Sequence, residues 1–125
     1  MTSSHHPHQL EHGPIFSWYR DHNGLIFTSG HAAVDVDSLN ISLGDLVSET
    51  HATLTNLRRT LEKAGSSLDK VLKITAYITD MSQFAAFNRA YAKFFPGPRV
   101  PARTCVEVSR LPFNFKVEIE AIAHL

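Results

Sequence analysis

Residues 43–65, LGDLVSETHATLTNLRRTLEKAG, place Val47, Thr50, Leu54, Leu57, Leu61 and Ala64 at alternating three- and four-residue intervals. That spacing lines one face of an amphipathic helix, and Gly65 suits a left-handed helix cap. Arg58 and Arg59 fall off the stripe, and His51 lies at its margin as a surface residue. A helix with one apolar stripe must bury it, so the rest of the chain has to supply a second layer.

The neighbouring segments are suited to that task. PIFSWYR and LIFTSG are β-rich runs separated by DHNG, where Asn23-Gly24 signals a two-residue hairpin. Residues 31–43, with scattered Asp, Ser and Asn, read as a loop. VLKITAYITD predicts a strand with Leu72, Ile74, Ala76 and Ile78 on one side and Lys73, Thr75 and Tyr77 on the other. SQFAAFNRAYAKFF predicts a second helix, with Phe84, Phe87, Tyr91 and Phe94 or Phe95 as its core stripe, ended by PGP. ARTCVEVS and KVEIEAIAH, joined by RLPFNF, complete the set.

The predicted order is β-β-α-β-α-β-β, an α+β sandwich of one mixed sheet with both helices on one face. The other sheet face then needs cover, and in a chain of 125 residues a partner subunit is the natural source. That length predicts a single domain over 13–125 behind a flexible polar tail at 1–12. The tail carries His5, His6, His8 and His12 without acidic or thiol partners, a poor metal site. No other cluster has ligand spacing and no glycine-rich phosphate loop is present, so neither metal nor cofactor is expected.

Hydrophobic residues at 43% and charged residues at 19% are ordinary for a globular protein. Twelve Lys/Arg balance twelve Asp/Glu, which removes nucleic acid as the default partner. The longest apolar run is too short to span a bilayer, and the N-terminus lacks the apolar core of a signal peptide. With one cysteine and hence no internal disulfide, a soluble cytoplasmic protein is expected.

That cysteine sits in PARTCVEV. On a strand Arg103, Cys105 and Glu107 share a face, while in the last strand Val117, Ile119, Ala121 and Ala123 are apolar and Glu118 and Glu120 point the other way. If these two strands pair, an arginine, a thiol and a carboxylate converge on the face away from the helices. Two readings stand at this point: a cross-strand Arg–Glu pair with a buried thiol beside it, or a functional site.

PARTCVEVSRLP followed by VEIEAIA resembles the signature of the RidA family, the YjgF-type reactive-intermediate deaminases. The likeness extends through FTSGHAAVD and GSSLDKVLKITAYITDMSQFAAFNRAYAKFF, covering nearly everything after residue 12. The resemblance implies a chorismate-mutase-like fold assembled as a homotrimer with sites between subunits. It also implies hydrolysis of 2-imino acids, such as 2-iminopropanoate and 2-iminobutanoate, to 2-oxo acids and ammonia. By the same likeness Arg103 binds the substrate carboxylate, Glu118 positions or activates water, and Cys105 lines the pocket without acting as a nucleophile. Ser29 and Gly30 match the family's Ser-Gly at the end of the second strand, and Asn88 matches a position near the site. A guanidinium fork suits a carboxylate, and partial burial would lift Glu118 toward the range of a general base.

One departure matters. Many members begin Gly-Pro-Tyr, with the tyrosine entering the pocket; here the run is GPIFSWYR, so Ile15 or Phe16 stands there and Phe16 keeps an apolar wall. His31, Phe113 and Phe115 also change the pocket's expected lining. Alternatives are a specialised deaminase of a larger amino or imino acid, such as 2-aminomuconate, and a non-catalytic 2-oxo-acid-binding regulatory protein. A Cys105–His31 hydrolase and a ribonuclease rank below these.

Overall fold

The computed structural model describes residues 15–125, so the tail expected at 1–12 and the start of the GPIFSWYR run lie outside the described residues. Asn23 and Gly24 adopt φ of 52° and 80°, the left-handed pair that lets a two-residue turn follow the twist of its strands. The turn joins β1 (Tyr19–His22) to β2 (Leu25–Thr28). Then come α1 (Leu46–Lys63), β3 (Val71–Ile78), α2 (Phe84–Ala92), β4 (Ala102–Glu107) and β5 (Val117–His124), in the predicted order. The first strand is shorter than PIFSWYR, because residues 15–18 bend away before the pairing begins.

Asp45 caps α1 by accepting from the Ser48 backbone N–H at 2.8 Å. At the other end Gly65 has φ of 89°, with Ser66 N–H donating to Leu61 O and Gly65 N–H to Glu62 O, the paired bonds of a Schellman motif. Starting the helix at Leu46 sets its rotation. Leu46, Thr50, Leu54, Leu57 and Leu61 are buried, whereas Val47, expected in the stripe, is exposed.

The sheet runs β1-β2-β5-β3-β4, mixed because β3 and β4 are parallel and every other pair is antiparallel. The last two strands therefore do not pair: β5 inserts between β2 and β3, and β4 becomes an edge. Ile74, Ala76 and Ile78 face the helices, fully buried with Val117, Ile119, Ala123, Leu54, Leu57, Leu61 and Phe87. Leu72 does not join them. Val71 pairs with Ala123 and Lys73 with Ile122, so one extra residue bulges from β3, turning Val71 inward and Leu72 outward. In α2 the stripe narrows likewise: Phe87, Tyr91 and Phe95 are buried, and Phe84 is exposed.

The other face of the sheet carries no helix and shows Phe27, Val106, Lys73, Tyr77, Glu118 and Glu120. No helix among the described residues is long and apolar enough to cross a membrane.

Candidate functional site

The alternation of β5 decides where its carboxylates go. Because Ile119 pairs with Ala76 and Val117 with Ile78 on the helix side, Glu118 and Glu120 project from the open face. Glu120 accepts a hydrogen bond from the Tyr77 hydroxyl at 3.4 Å. Glu118 is half-buried and accepts no hydrogen bond from any described residue. Burial, and then the negative charge of Glu120, push its carboxyl above the usual range.

Gly30 stands against Glu118. A Cβ there would overlap the carboxylate, lying 2.7 Å from its Cδ, so any other residue would push the Glu118 carboxyl out of its present position. Ser29, beside it, is held rather than free: its hydroxyl donates to Ser17 O at 2.6 Å and its backbone N–H to Trp18 O at 2.9 Å. Together they open onto a cavity of about 390 Å³, whose walls are Phe16, Trp18, Ala32, Val34, Pro112, Phe113 and Phe115, with Glu118 as the one ionisable group among the described lining residues.

His31 supports this wall from behind. Its backbone bridges Ile119, and its ring lies 4.9 Å from that of Trp18, tilted by 47°. The Ser29 carbonyl can only accept, so His31 Nδ1 carries the proton in that 2.8 Å bond and Nε2 accepts from the Thr60 hydroxyl at 2.7 Å. Burial pushes the ring's pKa down to about 4, only partly opposed by the bond to Ser29, and keeps it neutral. The residue is a strut. Between it and Cys105 lie Ile119 and Ala76, three strand spacings or about 14 Å, which excludes a Cys105–His31 pair.

Arg103 and Cys105 are elsewhere. In the parallel register they pair with Ile74 and Ala76, so both face the helices, on the opposite side of the sheet from Glu118. The expected convergence within one chain does not occur, because it required β4 to pair with β5. Instead the Arg103 guanidinium lies over three rings of α2, 5.6 Å from Phe84, 5.6 Å from Phe87 and 4.8 Å from Tyr91. It meets no carboxylate among the described residues.

Asn88 shares that stripe, four residues from Phe84 and three from Tyr91. Its Oδ1 and the Tyr91 hydroxyl are both buried with no hydrogen-bond partner among the described residues. Burial pushes the Tyr91 phenol up to about 12, against the pull of Arg103, so it stays a donor. Cys105 is half-buried. Burial raises its thiol pKa and outweighs the guanidinium, so proximity to Arg103 does not make it a thiolate.

The fold thus presents two incomplete sets of groups: an unpaired cation with two orphaned polar atoms at the β4 edge, and an unpartnered carboxylate in an apolar cavity on the open face. The first suits a small carboxylate, the second a water molecule and an apolar group. Sequence reasoning missed Trp18. Phe16 and Trp18 are two apart in the β-rich run PIFSWYR, a spacing that pairs side chains on a strand, and their rings meet although residues 15–18 bend away from the sheet.

Residues 10–125 match the family model described as Endoribonuclease L-PSP. A RutC family protein of Pyrococcus horikoshii is 44% identical over 100 residues, covering 80% of this chain and 79% of that protein. Among solved structures, the Rid family protein YyfA of Yersinia pestis superposes with a TM-score of 0.84 at 35% identity, over 89% of this chain and 88% of that one. E. coli TdcF, solved with bound serine, gives 0.80 at 36% identity over 90% and 89%.

Proposed function

This chain belongs to the YjgF/RidA family, and from that membership we propose that it hydrolyses reactive 2-imino acids, such as 2-iminopropanoate and 2-iminobutanoate, to 2-oxo acids and ammonia. The observation that carries the reading is Glu118, a half-buried carboxylate without a partner among the described residues, its pKa raised by burial at the wall of an apolar cavity. Such a group is a general base. Glu118 takes a proton from water as the oxygen bonds to C2 of the protonated imine, giving a carbinolamine. The proton then passes from Glu118 to nitrogen, and the C–N bond breaks as the carbinolamine hydroxyl gives its own proton to the Glu118 carboxylate, so that C2 becomes a carbonyl, ammonia leaves and takes that proton away as ammonium. No oxidant, reductant or covalent enzyme intermediate enters this balance, and Cys105 lines the site as a protonated thiol.

In this reading Arg103 holds the substrate carboxylate from a neighbouring subunit. Within one chain it and Glu118 occupy opposite faces, so a single site using both needs two copies, with the edge strand β4 of one lying against the open face of the next. A homotrimer with three such clefts satisfies both faces at once. The free guanidinium, the Asn88 amide and the Tyr91 hydroxyl are the groups that would meet the carboxylate. That a relative of this chain holds serine, a small α-carboxylate, supports the same ligand class. A single unpaired thiol also fits a reducing, cytoplasmic setting. RNA cleavage, named in the family's description, would ask for a basic track for phosphates, where the open face instead carries Glu118 and Glu120.

The test generates 2-iminopropanoate and 2-iminobutanoate with an amino-acid oxidase and lets the protein compete with semicarbazide for them. The wild type is expected to suppress trapping, and Arg103→Ala and Glu118→Ala each to lose about a hundredfold or more in rate. Near-normal turnover in Arg103→Ala would show that the carboxylate sits elsewhere. Intact binding of 2-oxo acids without turnover in the wild type would move the protein to a binding role.

A further inference from the structure

We infer that the Glu118 cavity is shaped for 2-imino acids with an aromatic side chain, and that Phe113 is the residue that selects them. The inference rests on the deaminase reading for its chemistry, but its observations are those of the cavity wall.

A substrate of three carbons leaves most of a 390 Å³ space unfilled, and that volume falls in the range of sites that enclose much larger ligands. Its lining is aromatic on two separate segments. Phe16 meets Trp18 edge to face at 5.5 Å, and Phe113 meets Phe115 at 5.8 Å. In each pair one ring is packed and the other bare: Phe16 is 50% and Phe113 39% exposed, while Phe115 is buried. Two bare rings at one cavity are apolar surface awaiting an apolar group, and edge-to-face contact is what a third ring gains there. The polar groups are already committed. Ser29 donates to Ser17, and Glu118 serves the water, so a polar side chain would lose its hydration without recompense.

Phe113 is held in place against its own backbone preference. Its φ is 57° and ψ 21°, and Asn114 follows at φ 61°, two left-handed residues in succession with no glycine. A bulky side chain in that region is an outlier, and such outliers persist where the surroundings over-determine them, commonly at ligand sites. Here the surroundings are identifiable. Asn114 N–H donates to Leu111 O, Phe115 N–H to Pro112 O, and Lys116 N–H to the buried Glu49 carboxylate at 2.8 Å.

Two measurements on the full chain separate this inference from the reading beneath it. Phenylpyruvate and pyruvate share a carboxylate, so the difference in their calorimetric binding reports the cavity without turnover, and oxidase-generated imines of phenylalanine and alanine report turnover. We expect the aromatic ligand to bind, and its imine to turn over in kcat/KM, about tenfold better or more, given what even one methylene is worth in an apolar site. Phe113→Ala should cut that ratio about fivefold, as should Phe113→Gly, whose backbone is at ease at this φ and so guards against misfolding. Equal or weaker binding of phenylpyruvate would overturn the inference while leaving alanine-imine turnover to stand on its own. An aromatic preference in binding with neither imine hydrolysed would uphold the cavity's selectivity and sink the deaminase reading instead. A ratio unmoved in both Phe113 variants would remove Phe113 from the role.

Discussion

Two glutamates show what separates scaffold from site in this molecule. Glu49 in α1 is fully buried yet fully employed: it accepts from Gly44 N–H at 3.0 Å and Lys116 N–H at 2.8 Å, with Lys116 Nζ 3.5 Å away. It ties the loop before α1 to the turn before β5. Glu118, two residues beyond Lys116, is less buried and accepts nothing from any described residue. The cations divide the same way. Arg59 bridges Asp35 and Asp37, the second of which also meets Lys63, whereas Arg103 lies among aromatic rings with no counter-charge among the described residues. A charge that the fold has satisfied is structure, and one that the fold has desolvated and left waiting is a binding group.

Glu118→Gln should sharpen that contrast most. The rate of imine hydrolysis is expected to fall by about 10²–10⁴, the share of a general base. In the wild type, kcat/KM should fall on the acid side with a midpoint above the ordinary carboxylate value, and that limb should vanish in the variant. Stability should move oppositely. The folded pKa of Glu118 is raised, so its ionisation costs stability as pH rises through that value. Glu118→Gln should therefore unfold at a higher temperature than the wild type at neutral pH and the same temperature at low pH. A loss of stability at neutral pH would mean that the carboxylate is paired after all.

Glu49→Ala is the complementary break. It strands two part-buried backbone N–H groups and loosens the Lys116 ammonium, at a cost of about 2 kcal/mol in urea unfolding. Glu49→Gln, which keeps one acceptor, should lose about half of that. Because Lys116 anchors the turn that carries Phe113, residual activity in Glu49→Gln should show a poorer aromatic-to-small substrate ratio, where a purely structural change would lower both rates alike.

Much of this was legible in the chain. The hairpin at Asn23-Gly24, the cap at Gly65 and the one-sided burial of β5 are local, set by φ preference and by alternation, and the structure has them as read. Glu118's orientation followed from β5 alone. Strand order is not local. Nothing in PARTCVEV says whether it pairs with β3 or β5, and that one unknown inverted the face assigned to Arg103 and Cys105. Val47 and Leu72 failed for a smaller reason of the same kind. One rests on which residue starts a helix, the other on a single bulged residue, and each shifts a side chain to the far face without altering the apolar pattern. Asn88 was placed near the site by family likeness alone; its sharing a stripe with Phe84, Phe87 and Tyr91 around Arg103 depends on the face that β4 presents.

The smallest expected effect bears on His31, which stands between the two regions, bonded to Thr60 of the scaffold and lying against Trp18 of the cavity wall. Its folded pKa of about 4 lies below the ordinary 6.5, so the unfolded chain takes up its proton first as pH falls. The contribution is complete above pH 6.5, declines between 6.5 and 4, and is constant below that. At pH 5 about 2 kcal/mol of it has been lost. His31→Gln keeps a donor for Ser29 O and an acceptor for Thr60 without a titrating ring, and its unfolding free energy should be nearly flat across pH 6.5 to 4 where the wild type slopes. The depressed carboxylates of Asp35, Asp37 and Asp45 titrate below this window, and Glu118 acts with the opposite sign within it, so the variant's own curve should rise slightly toward acid. A wild-type curve without the slope would mean that His31 protonates in place and that the wall behind Trp18 yields to admit the charge.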